Sequence, residues 1–283
     1  MTEVEGVSSQ VEMKSGPRVA GVSLAIVLWL LGAAVIVLGA RDWLPPLASQ
    51  HGAGIDRMML YLLICTGALI LLGHIVLGYF VLRASRRDRA SSEVPSLRAQ
   101  RVWSIAPAIV MTLIAEGGVL AIGLPVWGQL YGQAPPADAV LVEVTGEQFT
   151  WNIRYPGADG ELGRIDPQLI STENSLGLDG DDPAAADDIL ELAAMYLPVD
   201  RAVRIRLRSK DVLHSFYLPH HRIKQDAVPG MTIELWFVPD REGEFEIACA
   251  ELCGLGHYQM PGTLHVVSEQ EFSRWMGEKS AGP

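Results

Sequence analysis

Three long apolar runs fill the first 131 residues of this 283-residue chain, and no other feature limits its fold so tightly. Residues 19–40 and 58–82 carry no Asp, Glu, Lys or Arg, and residues 102–131 carry one charge, Glu116. A helix needs about 20 apolar residues to cross the hydrocarbon core of a bilayer, so all three qualify as membrane helices. At about 1.5 Å per residue the third would be roughly 45 Å long and must tilt or project. The reading is an N-terminal tail (1–18), a membrane domain (19–131) and a separate domain over 138–283.

Positive residues set the orientation. The segment 83–101 holds Arg83, Arg86, Arg87, Arg89, Arg98 and Arg101, whereas the segment between the first two runs has only Arg41 and Arg57. Loop 83–101 and the N-terminus are therefore placed in the cytoplasm, with the C-terminal domain on the outer face. In a bacterium that is the periplasmic side of the inner membrane, and the chain is multi-pass. A cleaved signal peptide would carry an apolar stretch of about 7–15 residues and a small-residue cleavage site. The run 19–40 is longer and no clear A-x-A site follows it, so it is read as a retained helix. Cys65, preceded by Leu62, Leu63 and Ile64, is read as a buried apolar residue.

Beyond Pro135 and Pro136 the pattern changes to short strands. Val203, Ile205 and Leu207 alternate with Arg204, Arg206 and Arg208, the period-2 signature of a strand with one wet face. Further β-rich stretches at 139–145, 212–218, 231–238, 244–249 and 263–267 are separated by turn signals, which argues for an all-β sandwich or barrel. Ser268 and Glu271 have the spacing of a capping box and predict a short C-terminal helix. Residues 159–200 form an insertion with eleven acids against one base, Arg164. It reads either as a solvated insertion or as a docking face for a cationic protein. The chain's net charge of −11 argues against nucleic acid as a partner.

The chemistry lies in C-x3-C-x3-H-x2-M: Cys249, Cys253, His257 and Met260, with His214 35 residues before the first cysteine. Thiolate and thioether ligands select soft metals. Structural zinc sites use Cys and His without Met, and an iron–sulfur cluster wants four cysteines or a Cys2His2 Rieske set. Met beside Cys and His points to copper and electron transfer, and two thiolates can bridge two coppers. A Cys249–Cys253 disulfide is the rival reading, but it leaves the other three residues unexplained.

The stretches LHSFYLPHHRIKQDAVPG (213–230) and CAELCGLGHYQM (249–260) closely resemble subunit II of heme-copper cytochrome c oxidases. Weaker likenesses are Val102-Trp103-Ser104-Ile105 with Pro107, at the start of a membrane helix, and Gly146–Trp151, an aromatic stretch at the start of the sandwich. The resemblance spans roughly residues 58–275 and implies N-terminal transmembrane helices followed by a cupredoxin-like β-sandwich with a dinuclear copper centre, CuA. It implies that Cys249 and Cys253 bridge both coppers, with His214 and Met260 completing one, and His257 and the Glu251 carbonyl completing the other. It further implies magnesium on the Glu251 carboxylate at the interface with the heme-bearing subunit I, and an approach of Asp226, Pro229 and Gly230 to that subunit.

Three departures stand out: an extra N-terminal helix, the long acidic insertion, and Phe149 where the family usually has the tryptophan that receives electrons. Trp151, two residues on, shares a strand face with Phe149 and is the candidate substitute for electron input. Gln100 stands where the family often has a proton-path Glu, and Glu116 is an ionisable residue deeper in the third run, a candidate for a proton-related role.

The function the resemblance implies is that of subunit II of a cytochrome c oxidase. It would accept electrons from cytochrome c at the acidic face and pass them to heme in subunit I. There oxygen is reduced to water and protons are moved. The chain has no oxygen-reducing site of its own. The alternatives are the CuA subunit of a heme-copper nitric oxide reductase and, from another class, a membrane-tethered copper carrier.

Overall fold

The computed structural model describes residues 16–39, 41, 43–86 and 96–280. Most of the N-terminal tail and positions 87–95 of the Arg-rich loop lie outside the described residues. The chain divides into two compact units, Met1–Trp43 with Met59–Ala121, and Leu44–Met58 with Ile122–Pro283.

The first unit is helical. Helix α1 spans Gly16–Gly39 and α2 spans Gly52–Ser85. The third span, residues 97–131, consists of α3 (Leu97–Met111), a π turn (Thr112–Glu116) and α4 (Gly117–Tyr131). Ser96 caps α3 by accepting a hydrogen bond from the Ala99 amide, which is why this helix starts five residues before the apolar run does. All three spans are long and apolar enough to cross a membrane, at 22, 34 and 35 residues. Their large apolar side chains are mostly exposed, the inverse of a water-soluble bundle. Trp29 of α1 donates its indole N–H to the Ile75 carbonyl of α2, and the Tyr61 hydroxyl of α2 donates to the Ile114 carbonyl at the π turn.

The second unit is a two-sheet sandwich. Its strands are β1 (Val140–Glu147), β2 (Thr150–Tyr155), β3 (Ile189–Leu192), β4 (Ala194–Pro198), β5 (Val203–Ser209), β6 (His214–Leu218), β7 (Ile223–Ala227), β8 (Ile233–Phe237), β9 (Gly243–Cys249) and β10 (Gly262–Val267). One sheet runs β3-β2-β1-β5-β8 and the other β4-β10-β9-β6-β7. The β1/β5 and β4/β10 pairs are parallel and the other pairs antiparallel. The inner faces bury Trp151, Ile205, Phe216, Leu218 and Ile247 completely. Helix α5 (Glu269–Ser280) closes the chain, and the Ser268 hydroxyl accepts from the Glu271 amide as the capping box requires.

The interhelical segment before α2 belongs to this unit and not to the membrane helices alone. Ala48 and Ser49 are fully buried. Ala48 donates to the His220 carbonyl at 2.8 Å, and the Ser49 hydroxyl donates to the His221 carbonyl at 2.7 Å. Arg222 clasps Asp56, near the start of α2, at 2.7 and 3.1 Å. Burial holds His221 down at about 3 and His51 at about 4, so both imidazoles pack as neutral rings, T-shaped against Phe237.

The insertion 159–200 differs from a uniformly solvated acidic face. Its last part is strand β3, strand β4 and the turn between them, paired to β2 and β10. Six of its eleven acids are at least partly buried, and only Asp159, Glu161, Glu173, Asp181 and Asp200 are fully exposed. Asp166 and Asp182 cap short 3-10 turns, and Asp179 pairs with Arg164 at 2.8 Å. The Asp188 side chain is fully buried, 2.8 Å from Arg154, which also binds Glu143 at 2.6 Å. A short acidic side chain satisfies backbone amides in tight turns, so several of these acids have a local structural use.

Candidate metal centre

Strand pairing brings the first ligands together. Strands β6 and β9 are antiparallel neighbours with Phe216 opposite Cys249, so His214 at the start of β6 and Cys249 at the end of β9 meet at one edge of the sandwich. The chain then leaves the sheet in a loop anchored by the Ala250 amide on the Ser215 carbonyl.

Around this loop, Cys249 Sγ lies 4.0 Å from His214 Nδ1, 3.2 Å from the Glu251 carbonyl and 4.0 Å from Cys253 Sγ. Cys253 Sγ lies 3.6 Å from His257 Nδ1 and 3.9 Å from Met260 Sδ. All six donors named in the sequence therefore converge around the two thiols. The ligand atoms of His214, Cys249 and Cys253 all fall within 4.8 Å of one another. The sulfur separation is about twice the 2.05 Å of a disulfide, and both thiols are free. The disulfide reading is not the one the structure adopts.

The donor set fits a soft cation. Burial and the neighbouring Cys249 push the Cys253 thiol up to about 11. Two thiolates this close repel unless positive charge lies between them. Thiolate, imidazole and thioether together are the ligand class of copper.

Positioning comes from residues the sequence reading passed over. The His214 ring is fully buried, and its Nε2 is 2.8 Å from Asp211 Oδ1, which leaves Nδ1 facing the cysteines. Burial works to raise the Asp211 carboxyl, but hydrogen bonds from His214 and from the Gln148 and Val212 amides outweigh it and hold it below the ordinary carboxylate range. Gln148 also donates its side-chain amide to the Cys253 carbonyl at 2.6 Å. An acid three residues before the histidine was the available signal for Asp211; nothing in the sequence pointed to Gln148.

The two aromatic candidates occupy different places. Phe149 packs on the ligand loop so closely that a Cβ on Gly256 would lie 2.4 Å from its ring. Trp151 is fully buried, edge-on to His214 at 6.0 Å and to Phe216 at 5.4 Å between ring centres. It stands behind the ligand histidine in the core, without exposed surface. On the outside of the ligand loop, Leu252, Leu255 and Tyr258 are highly exposed apolar side chains.

Fold and site together define a cupredoxin-like sandwich with a cluster of thiol, imidazole and thioether donors at one end, in a chain with apolar spans. Residues 140–267 match the family described as "Cytochrome C oxidase subunit II, periplasmic domain". The alternative cytochrome c oxidase subunit 2 of Bradyrhizobium diazoefficiens is 36% identical over 259 residues, covering 91% of each chain. Cytochrome c oxidase subunit 2 of Cereibacter sphaeroides is 35% identical over 195 residues, covering 64% of this chain and 60% of its own. A crystal structure of the periplasmic domain of subunit II of cytochrome oxidase from Bradyrhizobium japonicum covers 53% of this chain and 98% of its own, with 30% identity and a TM-score of 0.39. The chain belongs to the cytochrome c oxidase subunit II family, as a form with three apolar spans.

Proposed function

We propose that this chain is the electron-input subunit of an oxygen-reducing heme-copper oxidase in a bacterial inner membrane, taking electrons from a cytochrome c and handing them to heme in subunit I. The observation that carries this reading is the convergence of Cys249, Cys253, His214, His257, Met260 and the Glu251 carbonyl on one loop. The relatives bear oxidase names, which favours oxygen over nitric oxide as the final acceptor and a working redox subunit over a copper carrier.

In this reading Cys249, Cys253, His214, His257, Met260 and the Glu251 carbonyl would hold a pair of copper ions. When bound, the pair would supply one-electron redox chemistry. The protein's part is to hold the donors. Asp211 orients the His214 ring, Gln148 ties down the Cys253 carbonyl, and Phe149 covers the glycines of the loop. Phe149, partly buried against the ligand loop, takes the electron-input role, with Trp151 behind His214 as a support of the ligand residues. The exposed acids Asp159, Glu161, Glu173 and Asp181 attract a basic cytochrome c. The Glu251 carboxylate holds magnesium at the contact with subunit I, a hard cation on an oxygen ligand.

The sandwich is periplasmic, and the N-terminus and loop 83–101 are cytoplasmic. Glu116 ends the π turn of the third span. An ionisable group within a membrane span costs at least a few kcal/mol and usually marks a function, so Glu116 is a candidate for a proton-related role, the alternative being a protonated side chain hydrogen-bonded at a helix contact. Unchanged turnover and proton release in Glu116→Gln would remove that role.

The test of the main reading is purification of the native complex. Two coppers per chain and a purple mixed-valence spectrum, lost in Cys249→Ser and in Cys253→Ser, are expected. A single zinc in their place would overturn it. Glu251→Gln should deplete magnesium and spare copper.

A further inference from the structure

The outer face of the β3-β2-β1-β5-β8 sheet carries a row of alternating charge. Arg154 of β2, Glu143 of β1, Arg206 of β5 and Glu234 of β8 stand opposite one another in register. The guanidinium of Arg154 is fully engaged, with Glu143 at 2.6 Å, Asp188 at 2.8 Å and the Gly163 carbonyl at 2.8 Å. Arg204 takes both oxygens of Glu234, at 2.6 and 2.7 Å.

Arg206 and Arg208 are different. Their nearest carboxylate oxygens are 3.8 Å away on Glu234 and 3.7 Å away on Glu143, beyond hydrogen-bond length. Two residues apart on one strand, they share a face with a backbone separation of about 7 Å. Both line a recess of about 470 Å³ whose other wall is Leu162–Ile165 of the insertion. Arg164, the only base among the insertion's eleven acids, lines the same recess. The wall is pinned to the sheet by the buried Asp188, which accepts from the Gly163 amide at 3.1 Å as well as from Arg154. A segment otherwise dense in acid thus lies beside two under-engaged guanidiniums, with its single cation, paired to Asp179 at 2.8 Å, at the rim.

We propose that this recess is a binding site for a phosphate-class oxyanion, held by Arg206 and Arg208 with Arg164 at its rim. A guanidinium presents a planar fork that matches phosphate oxygens two at a time. Two forks on one strand face can take the oxygens of two adjacent phosphoryl groups, one fork to each. Glu143 and Glu234 do not block the site, because Arg154 and Arg204 already hold them at hydrogen-bond distance.

The test is titration of the purified full-length protein with pyrophosphate, followed by calorimetry and thermal shift. Saturable binding at least 10-fold tighter than for inorganic phosphate is expected, weakening as salt rises. Arg206→Gln/Arg208→Gln should lower affinity at least 10-fold while the copper spectrum, as a check of the fold, stays unchanged. Arg208→Lys, which keeps the charge and loses the fork, should fall between. Competition by phosphatidylglycerol nanodiscs, but not by phosphatidylcholine, would assign the site to a lipid headgroup; equal affinity in both would assign it to a solution phosphate. Absence of saturable binding by the wild-type protein, or equal affinity in the folded double variant, overturns the proposal.

Discussion

Replacing Arg154 by Leu should be among the most damaging single changes in the sandwich. The guanidinium is about 2% exposed and lies between Glu143, also about 2% exposed, and Asp188, fully buried. Removing it leaves two carboxylates buried without their cation, apart from Arg208 at 3.7 Å from Glu143. Breaking a buried ion pair from one side costs about 3–5 kcal/mol. For a domain of this size each kcal/mol moves Tm by about 2–4 °C, so a fall of about 6–20 °C is expected. The pH dependence gives a second reading. Burial already raises Asp188 above the ordinary carboxylate range, with Arg154 pulling against it. Without Arg154 the Asp188 carboxyl rises further in the folded state. A carboxyl raised on folding costs stability above its unfolded value, and the cost is relieved as pH falls through its folded value. The deficit of the variant should therefore be larger at pH 8 than at pH 5. Thermal unfolding of the full chain in detergent, followed by circular dichroism at both pH values, measures it. Replacing all three charged residues by apolar ones of similar volume should restore most of the loss, since only the unpaired charge is costly. A Tm shift under 2 °C for Arg154→Leu, or a deficit that grows at low pH, would refute the reasoning.

Asp211→Asn should leave the fold intact and weaken copper retention roughly 10–100-fold, because the Asp211 carboxylate holds the far nitrogen of the His214 ring and so orients it; chelator challenge with the copper spectrum as readout measures it. Gly256→Ala should cost about 1–3 kcal/mol through overpacking against Phe149, and Phe149→Leu in the same chain should recover part of it, read by thermal unfolding. Electron transfer from a basic cytochrome c should slow as the Debye length shrinks from about 30 Å at 0.01 M salt to about 8 Å at 0.15 M. Stopped-flow rates for a variant with Asp159, Glu161, Glu173 and Asp181 neutralised should show a flatter salt dependence, and an unaltered slope would remove those acids from docking.

Much of this protein is legible without coordinates, because some signals are local. Apolar runs longer than a bilayer is thick mark the spans, whatever they pack against. The alternation at 203–208 marks β5, and the Ser268–Glu271 box marks α5. The ligand set is legible as well, since five of its six donors fall in one 12-residue stretch and the metal's preference for soft donors is written in residue type. Helix ends were less accessible: α2 begins at Gly52, six residues before its apolar run, because polar residues such as Asp56 and Arg57 sit in its first turns. Strands β3 and β4 were hidden inside what reads as an acidic loop, since Asp187, Asp188 and Glu191 mask the short apolar pattern around them.

What the sequence alone determined was the order of spans, the β class of the C-terminal domain and the chemistry of its site, all set by residue type and near-neighbour spacing. What only the tertiary structure decided was which distant groups meet. Asp188 reads as one more surface acid until Arg154, 34 residues earlier, is seen to bury it. Trp151 reads as a partner of Phe149 on one strand face until the fold places it in the core behind His214. Such roles depend on burial and on partners across the sheets, and both are properties of strand register and layer packing, not of sequence distance.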